Sequence, residues 1–87
     1  MPTPAVVERV RKLGEELAET QPDAKIEAHV ASLRQQIDAV LVQPDHLPHY
    51  KTLDARLRNA YAGFEIDHPR LAASIQAVIT ELAAAGI

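Results

Sequence analysis

The chain has 87 residues, of which 47% are hydrophobic, and its 9 basic and 12 acidic residues give a net charge of −3. This length suits one small domain, and the absence of cysteine excludes both a disulfide staple and a zinc ribbon. The slight acidic excess argues against the basic face that binds nucleic acid or an anionic membrane surface.

The first predicted helix begins at Pro4, with Thr3 as its N-cap, because a proline at the first helical position lacks only an N–H that would be unpaired anyway. Its apolar residues recur at spacings of three and four, which is typical of one buried helix face. They are Val6, Val10, Leu13 and Leu17. We interpret Gly14 as a glycine that the helix tolerates rather than as a point of close helix packing.

Pro22 cannot continue the first helix but can open a second one. This second helix has the most regular apolar pattern in the chain, with steps of four, three, four and three residues. The residues are Ile26, Val30, Leu33, Ile37 and Val40. Because the connection after Glu19 is short, the first two helices are expected to form an antiparallel hairpin.

Pro44 and Pro48 mark the main loop, and a third helix is expected from about His49 to about Glu65. Its expected buried face combines aliphatic and aromatic residues. These are Leu53, Leu57, Ala60, Tyr61 and Phe64. Because all three aromatic residues of the chain lie in or beside this segment, we expect it to close one end of the core.

Asp67-His68-Pro69 is a second break, since a residue that precedes proline is disfavoured in the α conformation. We expect Asp67 to be the N-cap of a fourth helix that runs from Pro69 to about Ala85, and Gly86 to be its stop. The alternative is one continuous helix with a proline kink.

The fourth helix has no charged residue between Arg70 and Glu81. A helix that is apolar over most of its circumference is usually buried on more than one side. Since three other short helices offer limited cover, we predict that a second copy of the chain covers it. The predicted contact residues are Leu71, Ile75, Val78, Ile79 and Leu82. The alternative is that its alanines are simply good helix formers on an exposed face.

The main candidate for chemistry is Asp45-His46-x-x-His49, because histidine and carboxylate groups at short spacing can bind a divalent metal. Pro48 disrupts the helical spacing that zinc-protease motifs use, so we expect a solvated pair of histidines and no bound metal. His29, beside the apolar stripe of the second helix, is interpreted as a histidine at the edge of the core.

Other chemical motifs are incomplete. Glu65-x-x-His68 has the spacing of a di-iron motif but no second copy. Ser32 and Ser74 lie within predicted helices without the glycine elbow of a nucleophilic serine. The glycines are isolated, so no phosphate-binding loop is predicted. We therefore expect no enzymatic activity and no cofactor.

Several residues of the C-terminal third, with a looser likeness at Met1-Pro2 and Leu13–Leu17, carry a family resemblance. They are Phe64-Glu65, His68-Pro69, Leu71 and the final Gly86-Ile87. The sequence resembles a family of short bacterial proteins known as domain of unknown function 4404. It departs from that family at Gly14, where members often have histidine, and at Ala84-Ala85, which replace a more polar ending that contains methionine. The resemblance implies a small helical cytoplasmic protein and carries no activity.

We therefore predict one all-α domain over residues 1–87, a four-helix bundle of two antiparallel hairpins that forms a homodimer. A membrane span needs about 20 apolar residues, and neither such a run nor a signal-peptide core is present, so a cytoplasmic protein is expected. The predicted function is a structural or protein-interaction module that binds itself or an unknown protein, with no nucleic-acid or membrane partner. The alternative is a weak metal-binding or accessory domain that uses Asp45, His46 and His49.

Overall fold

The computed structural model describes residues 3–87, which form four consecutive α-helices. These are α1 (Pro4–Glu19), α2 (Glu27–Val42), α3 (Leu47–Glu65) and α4 (Pro69–Ala84). Residues 3–87 contain no β-strand, so the all-α prediction is confirmed. Met1 and Pro2, which contribute to the family resemblance, lie outside the described residues.

The helices surround one hydrophobic core, which is mainly aliphatic and includes Tyr50 and Phe64. Each helix packs on its neighbours along the chain, and α1 also packs on α4, so the four helices form a closed ring. The bundle measures 34 × 22 × 18 Å along its principal axes. The predicted stripes of the first two helices are buried throughout, from Val6 to Leu17 and from Ile26 to Val40. The period-3.6 pattern of the sequence therefore identifies the inward faces correctly.

The start of α1 is as predicted, whereas α2 begins later than its proline suggests. The Thr3 hydroxyl oxygen accepts a hydrogen bond from the Val6 N–H at 3.3 Å. After Pro22, the Asp23 carboxylate accepts hydrogen bonds from the N–H groups of Lys25 and Ile26 at 3.0 and 3.2 Å. An aspartate that pairs with the backbone just beyond it favours a turn, and α2 therefore starts at Glu27.

The helix α3 begins two residues earlier than expected, at Leu47. Pro48 lies in its first turn, where the missing N–H has no partner in an α-helix. This early start places His49 inside the helix while His46 stays at the N-cap position.

The helices α3 and α4 are separate, so the alternative of one continuous helix with a proline kink is wrong. The prediction that Asp67 caps α4 is also wrong. The N-cap residue is His68, with φ −134° and ψ 61° and no side-chain capping hydrogen bond. The physical reason is Pro69, which keeps its immediate predecessor out of the α region and so places the cap one residue later than Asp67.

The C-terminus of α4 ends in a left-handed glycine, as predicted. Gly86 has φ +78°, a conformation that glycine adopts without a steric penalty. The Gly86 N–H donates to the Ala83 carbonyl at 3.1 Å and the Ile87 N–H donates to the Leu82 carbonyl at 3.0 Å. This pair of bonds is a Schellman motif, and Ile87 packs back against the core.

The surroundings of Gly14 favour a point of close helix packing over a merely tolerated glycine. A Cβ atom at this position would lie 3.1 Å from Cγ2 of Ile37, which is tighter than ordinary van der Waals contact. The glycine therefore lets α1 approach α2 closely at the middle of the pair.

Candidate functional site

The predicted contact residues of the fourth helix lie in the core of a single chain. Their exposed fractions are 7% for Leu71, 0% for Ile75, 1% for Val78, 6% for Ile79 and 0% for Leu82. The ring geometry explains this burial, since α4 packs on both α1 and α3. The other three helices of one chain therefore suffice to cover these side chains.

A different set of residues faces outward on the same helix. At 100° per residue, one line of small side chains lies opposite the buried face, with steps of four, three and four residues. This line, the outer face of α4, consists of Ala73, Ala77, Thr80 and Ala84. Ala77 is half-buried and the other three are exposed. The large apolar residues of α4 do not indicate this set, whereas the spacing of its small residues in the sequence does.

The outer face of α4 is also distinct in charge. The helix α1 carries seven charged residues, α2 carries three and α3 carries five, whereas α4 carries only Arg70 and Glu81. Both lie outside the outer face itself, which is uncharged along its whole length. Burying it would therefore desolvate no ionised side chain, and desolvating an unpaired charge is the largest cost of covering a helix surface.

Hydrogen bonds connect the segment that contains His46 and His49 to α2 and to the residue that follows it. The rings of His46 and His49 stand 4.3 Å apart at an interplanar angle of 60°. His49 Nε2 lies 3.0 Å from Gln43 Oε1. Gln36, a buried polar residue of α2, donates from Nε2 to the His49 carbonyl at 2.9 Å.

Tyr50 holds the same loop from inside the core. Its side chain is fully buried, and its hydroxyl donates to the Pro44 carbonyl at 2.6 Å. Burial, together with the negative charge of Asp45, raises the pKa of the Tyr50 hydroxyl above its ordinary value. The tyrosine thus stays a neutral hydrogen-bond donor throughout the physiological pH range.

A metal site at this loop would need more ligands than the two histidines. Residues 3–87 contain no group of three or more His, Asp or Glu side chains placed to hold one metal ion. Asp45, His46 and His49 are therefore not gathered into a ligand set within that range.

Two polar contacts join the α1–α2 connection to the α3–α4 connection. His68 Nε2 lies 3.5 Å from Asp23 Oδ2, and Lys25 Nζ lies 3.9 Å from Asp67 Oδ2. Burial acts to raise the pKa of the Asp23 carboxyl, but hydrogen bonds from His68 and from the Ile26 and Lys25 N–H groups outweigh it, so this pKa lies below its ordinary value.

Histidine rings flank the buried Phe64 at the same end of the molecule. Its ring centroid lies 6.3 Å from that of His29 and 6.2 Å from that of His68. These contacts place both histidines at the edge of the core, the environment expected for His29. For His68 they favour a packing role over participation in a Glu-x-x-His metal motif.

A shallow depression lies between α1 and α2, where Gly14 permits the close approach. Its volume is about 280 Å³, and its lining mixes apolar groups with charges of both signs. The charged members are Arg11, Glu15, Arg34 and Asp38. An open depression with this mixed lining does not select one ligand chemistry.

These features place the molecule in the class of small all-α helical bundles. The chain belongs to the family described as Domain of unknown function (DUF4404), whose family model matches residues 6–87. No curated protein and no solved structure matched the chain. Within residues 3–87, none of the helices has the length and apolar character to cross a membrane.

Proposed function

We propose that this protein is a small helical interaction module that associates with a second copy of itself through the outer face of α4. The bundle consists of two antiparallel hairpins, α1–α2 and α3–α4. Support for the first hairpin comes from a surface depression lined by Thr3 and Pro4, at the start of α1, and by Pro44 and Asp45, just after α2. Support for both comes from the short connections.

The observation that carries the proposal is the uncharged outer face of α4 on a chain whose other helices are charged. Small side chains at alternating steps of four and three permit a close approach between two helices, which maximises backbone and side-chain contact. The face belongs to a helix whose other side is fixed in the core, so binding requires little ordering of the backbone.

The expected association is moderate in strength. Buried apolar surface contributes roughly 25 cal/mol per Å², and alanine side chains seldom act as binding hot spots. The structure places the large apolar side chains of α4 in the core of each copy, so the monomer is expected to be folded and the dimer to form at micromolar concentration. Association would then add to the apparent stability of the fold by mass action.

The proposal is tested by sedimentation equilibrium over a hundredfold dilution series. The wild-type chain should shift from dimer to monomer across the series. Ala73→Glu, which places a charge on the outer face of α4, should sediment as a monomer throughout. The matched control is Ala31→Glu, which adds the same charge to an exposed position of α2 and should behave like the wild type. A wild-type chain that remains monomeric at every concentration overturns the proposal.

A further inference from the structure

The two charged residues of α4 have opposite signs and lie at opposite ends of the helix. Arg70 is in the first turn and Glu81 is in the last turn, eleven residues later. Eleven steps of 100° make three turns plus about 20°, so both side chains emerge on the same flank, roughly 16 Å apart along the axis. This flank borders the outer face of α4.

Within residues 3–87, no ion pair neutralises either charge. The ion pairs of residues 3–87 involve other side chains, and none includes Arg70 or Glu81. Glu16 and Glu19 of α1 line the same depression as Arg70 without closing an ion pair with it. Both charged groups of α4 are therefore available to a partner.

Both charges also oppose the dipole of their own helix. A helix N-terminus carries partial positive charge and its C-terminus carries partial negative charge. Arg70 stands at the positive end of α4 and Glu81 near the negative end. An antiparallel neighbouring α4 would make both interactions favourable. Arg70 would then lie beside the partially negative C-terminus of that neighbour, and Glu81 beside its partially positive N-terminus.

We infer that two copies of the chain pair with their α4 helices antiparallel, about a two-fold axis near Ala77, with Arg70 of each copy beside Glu81 of the other. This inference rests on the proposed self-association and adds its orientation and its specificity. A two-fold axis across an antiparallel helix pair keeps the same flank of both helices on the same side. A parallel pair, whose two-fold axis would run along the helices, would place the two copies of this flank on opposite sides of the contact, so Arg70 would not meet Glu81 of the other copy.

The first test uses engineered cysteines, which report cleanly because the chain has no cysteine of its own. Disulfides tolerate Cα separations of up to about 7 Å. In the antiparallel pair, Ala77→Cys should cross-link to itself. Ala73→Cys and Ala84→Cys should not self-link, since their copies would be roughly 12 and 21 Å apart along the axis. A mixture of Ala73→Cys with Thr80→Cys should form the mixed dimer, because these two positions of opposite copies would lie about 1.5 Å apart along the axis.

The cross-linking outcomes separate the orientation from the association itself. Self-linking of Ala73→Cys and Ala84→Cys would mean a parallel pair and would overturn the inference while self-association stands. A dimer in sedimentation that links at none of these positions would place the contact away from the outer face of α4, and would overturn both the inference and the surface named in the proposed function. If the wild type is a monomer at every concentration, both the inference and the proposed function are wrong.

The second test reverses the charges. Arg70→Glu and Glu81→Arg should each raise the dimer dissociation constant by about fivefold or more, because both symmetric ion pairs become contacts between like charges. The double variant should restore it to near the wild-type value. Lys51→Glu, a charge reversal at an exposed site on α3, is the matched control and should change little. A double variant as weak as the single variants contradicts the antiparallel arrangement.

Discussion

The Tyr50 hydroxyl donates a hydrogen bond to the Pro44 carbonyl, at 2.6 Å, across the turn that joins α2 to α3. The tyrosine ring is fully buried, so one side chain contributes both to the core and to the conformation of the loop. A buried hydroxyl without a partner would be costly, and the loop carbonyl supplies that partner.

Tyr50→Phe should lower the free energy of unfolding by about 0.5–1.5 kcal/mol, because it removes one hydrogen bond and leaves the ring in place. Urea unfolding followed by circular dichroism measures this change. Tyr61→Phe is the control, since the Tyr61 side chain is half-buried on the same helix and its ring also stays in place. Equal effects of the two substitutions would show that the loop bond adds no stability.

Thr3→Ala should destabilise the protein by about 0.5–2 kcal/mol through loss of the N-cap of α1. Asp67→Ala should change stability by less than about 0.5 kcal/mol, because Asp67 caps no helix and its pairing with Lys25 is exposed. Thermal or urea unfolding of the two variants measures both changes in stability. A large effect at Asp67 with none at Thr3 would reverse the assignment of the caps.

Gly14→Leu should destabilise the fold by about 1–3 kcal/mol, because a side chain there would force α1 away from Ile37 on α2. Ala18→Leu, one turn further along α1 at an exposed position, is the control and should unfold close to the wild type. If both leucine variants unfold at the same urea concentration, the close approach at Gly14 does not limit packing.

Ile79→Glu should prevent cooperative folding rather than simply separate two copies, because Ile79 is 6% exposed within one chain. A carboxylate at this position would lose its hydration without gaining a partner. Circular dichroism melts at low concentration, where the chain is monomeric, measure the effect. Thr80→Glu, the adjacent outward position, should retain the wild-type melt under those conditions, and a normal melt for Ile79→Glu would contradict the placement of this residue.

Asp23 should contribute to the acid sensitivity of the fold. The pKa of its carboxyl in the folded protein lies below the ordinary 3.8. Ionised Asp23 therefore adds to the free energy of unfolding above pH 3.8, and this stabilisation is lost as the pH falls through the lower pKa of the folded state. Asp23→Asn should therefore reduce the slope of unfolding free energy against pH below about 4. His68→Ala should reduce it less, since the N–H groups of Lys25 and Ile26 still donate to the carboxylate. An unchanged slope in both variants would exclude this role.

The sequence pattern was sufficient for the four helices and most of their inward faces, because large aliphatic residues at period 3.6 form a single helix face. It was not sufficient on α3, where Tyr50 is buried although the predicted face begins at Leu53, and where Tyr61 is only half-buried. It also predicted the stop at Gly86, because glycine is favoured where φ is positive. It did not predict the role of Gly14, because the spacing between α1 and α2 depends on both helices at once. Nor did it predict that α4 is covered from two sides, since the contact between α1 and α4 joins segments far apart in the chain.

That contact between α1 and α4 also has a kinetic consequence. The other three helix pairs are consecutive along the chain, so their contacts form locally and at little cost in loop-closure entropy. Docking α4 on α1 is the step that must bring distant segments together, and it is expected to limit the folding rate. A circular permutant opened between α2 and α3, with α4 joined directly to α1, would make this contact local and the α2–α3 contact distant. The barrier to folding would then move to the docking of α2 on α3, without the connecting turn that Tyr50 bridges in the present chain order.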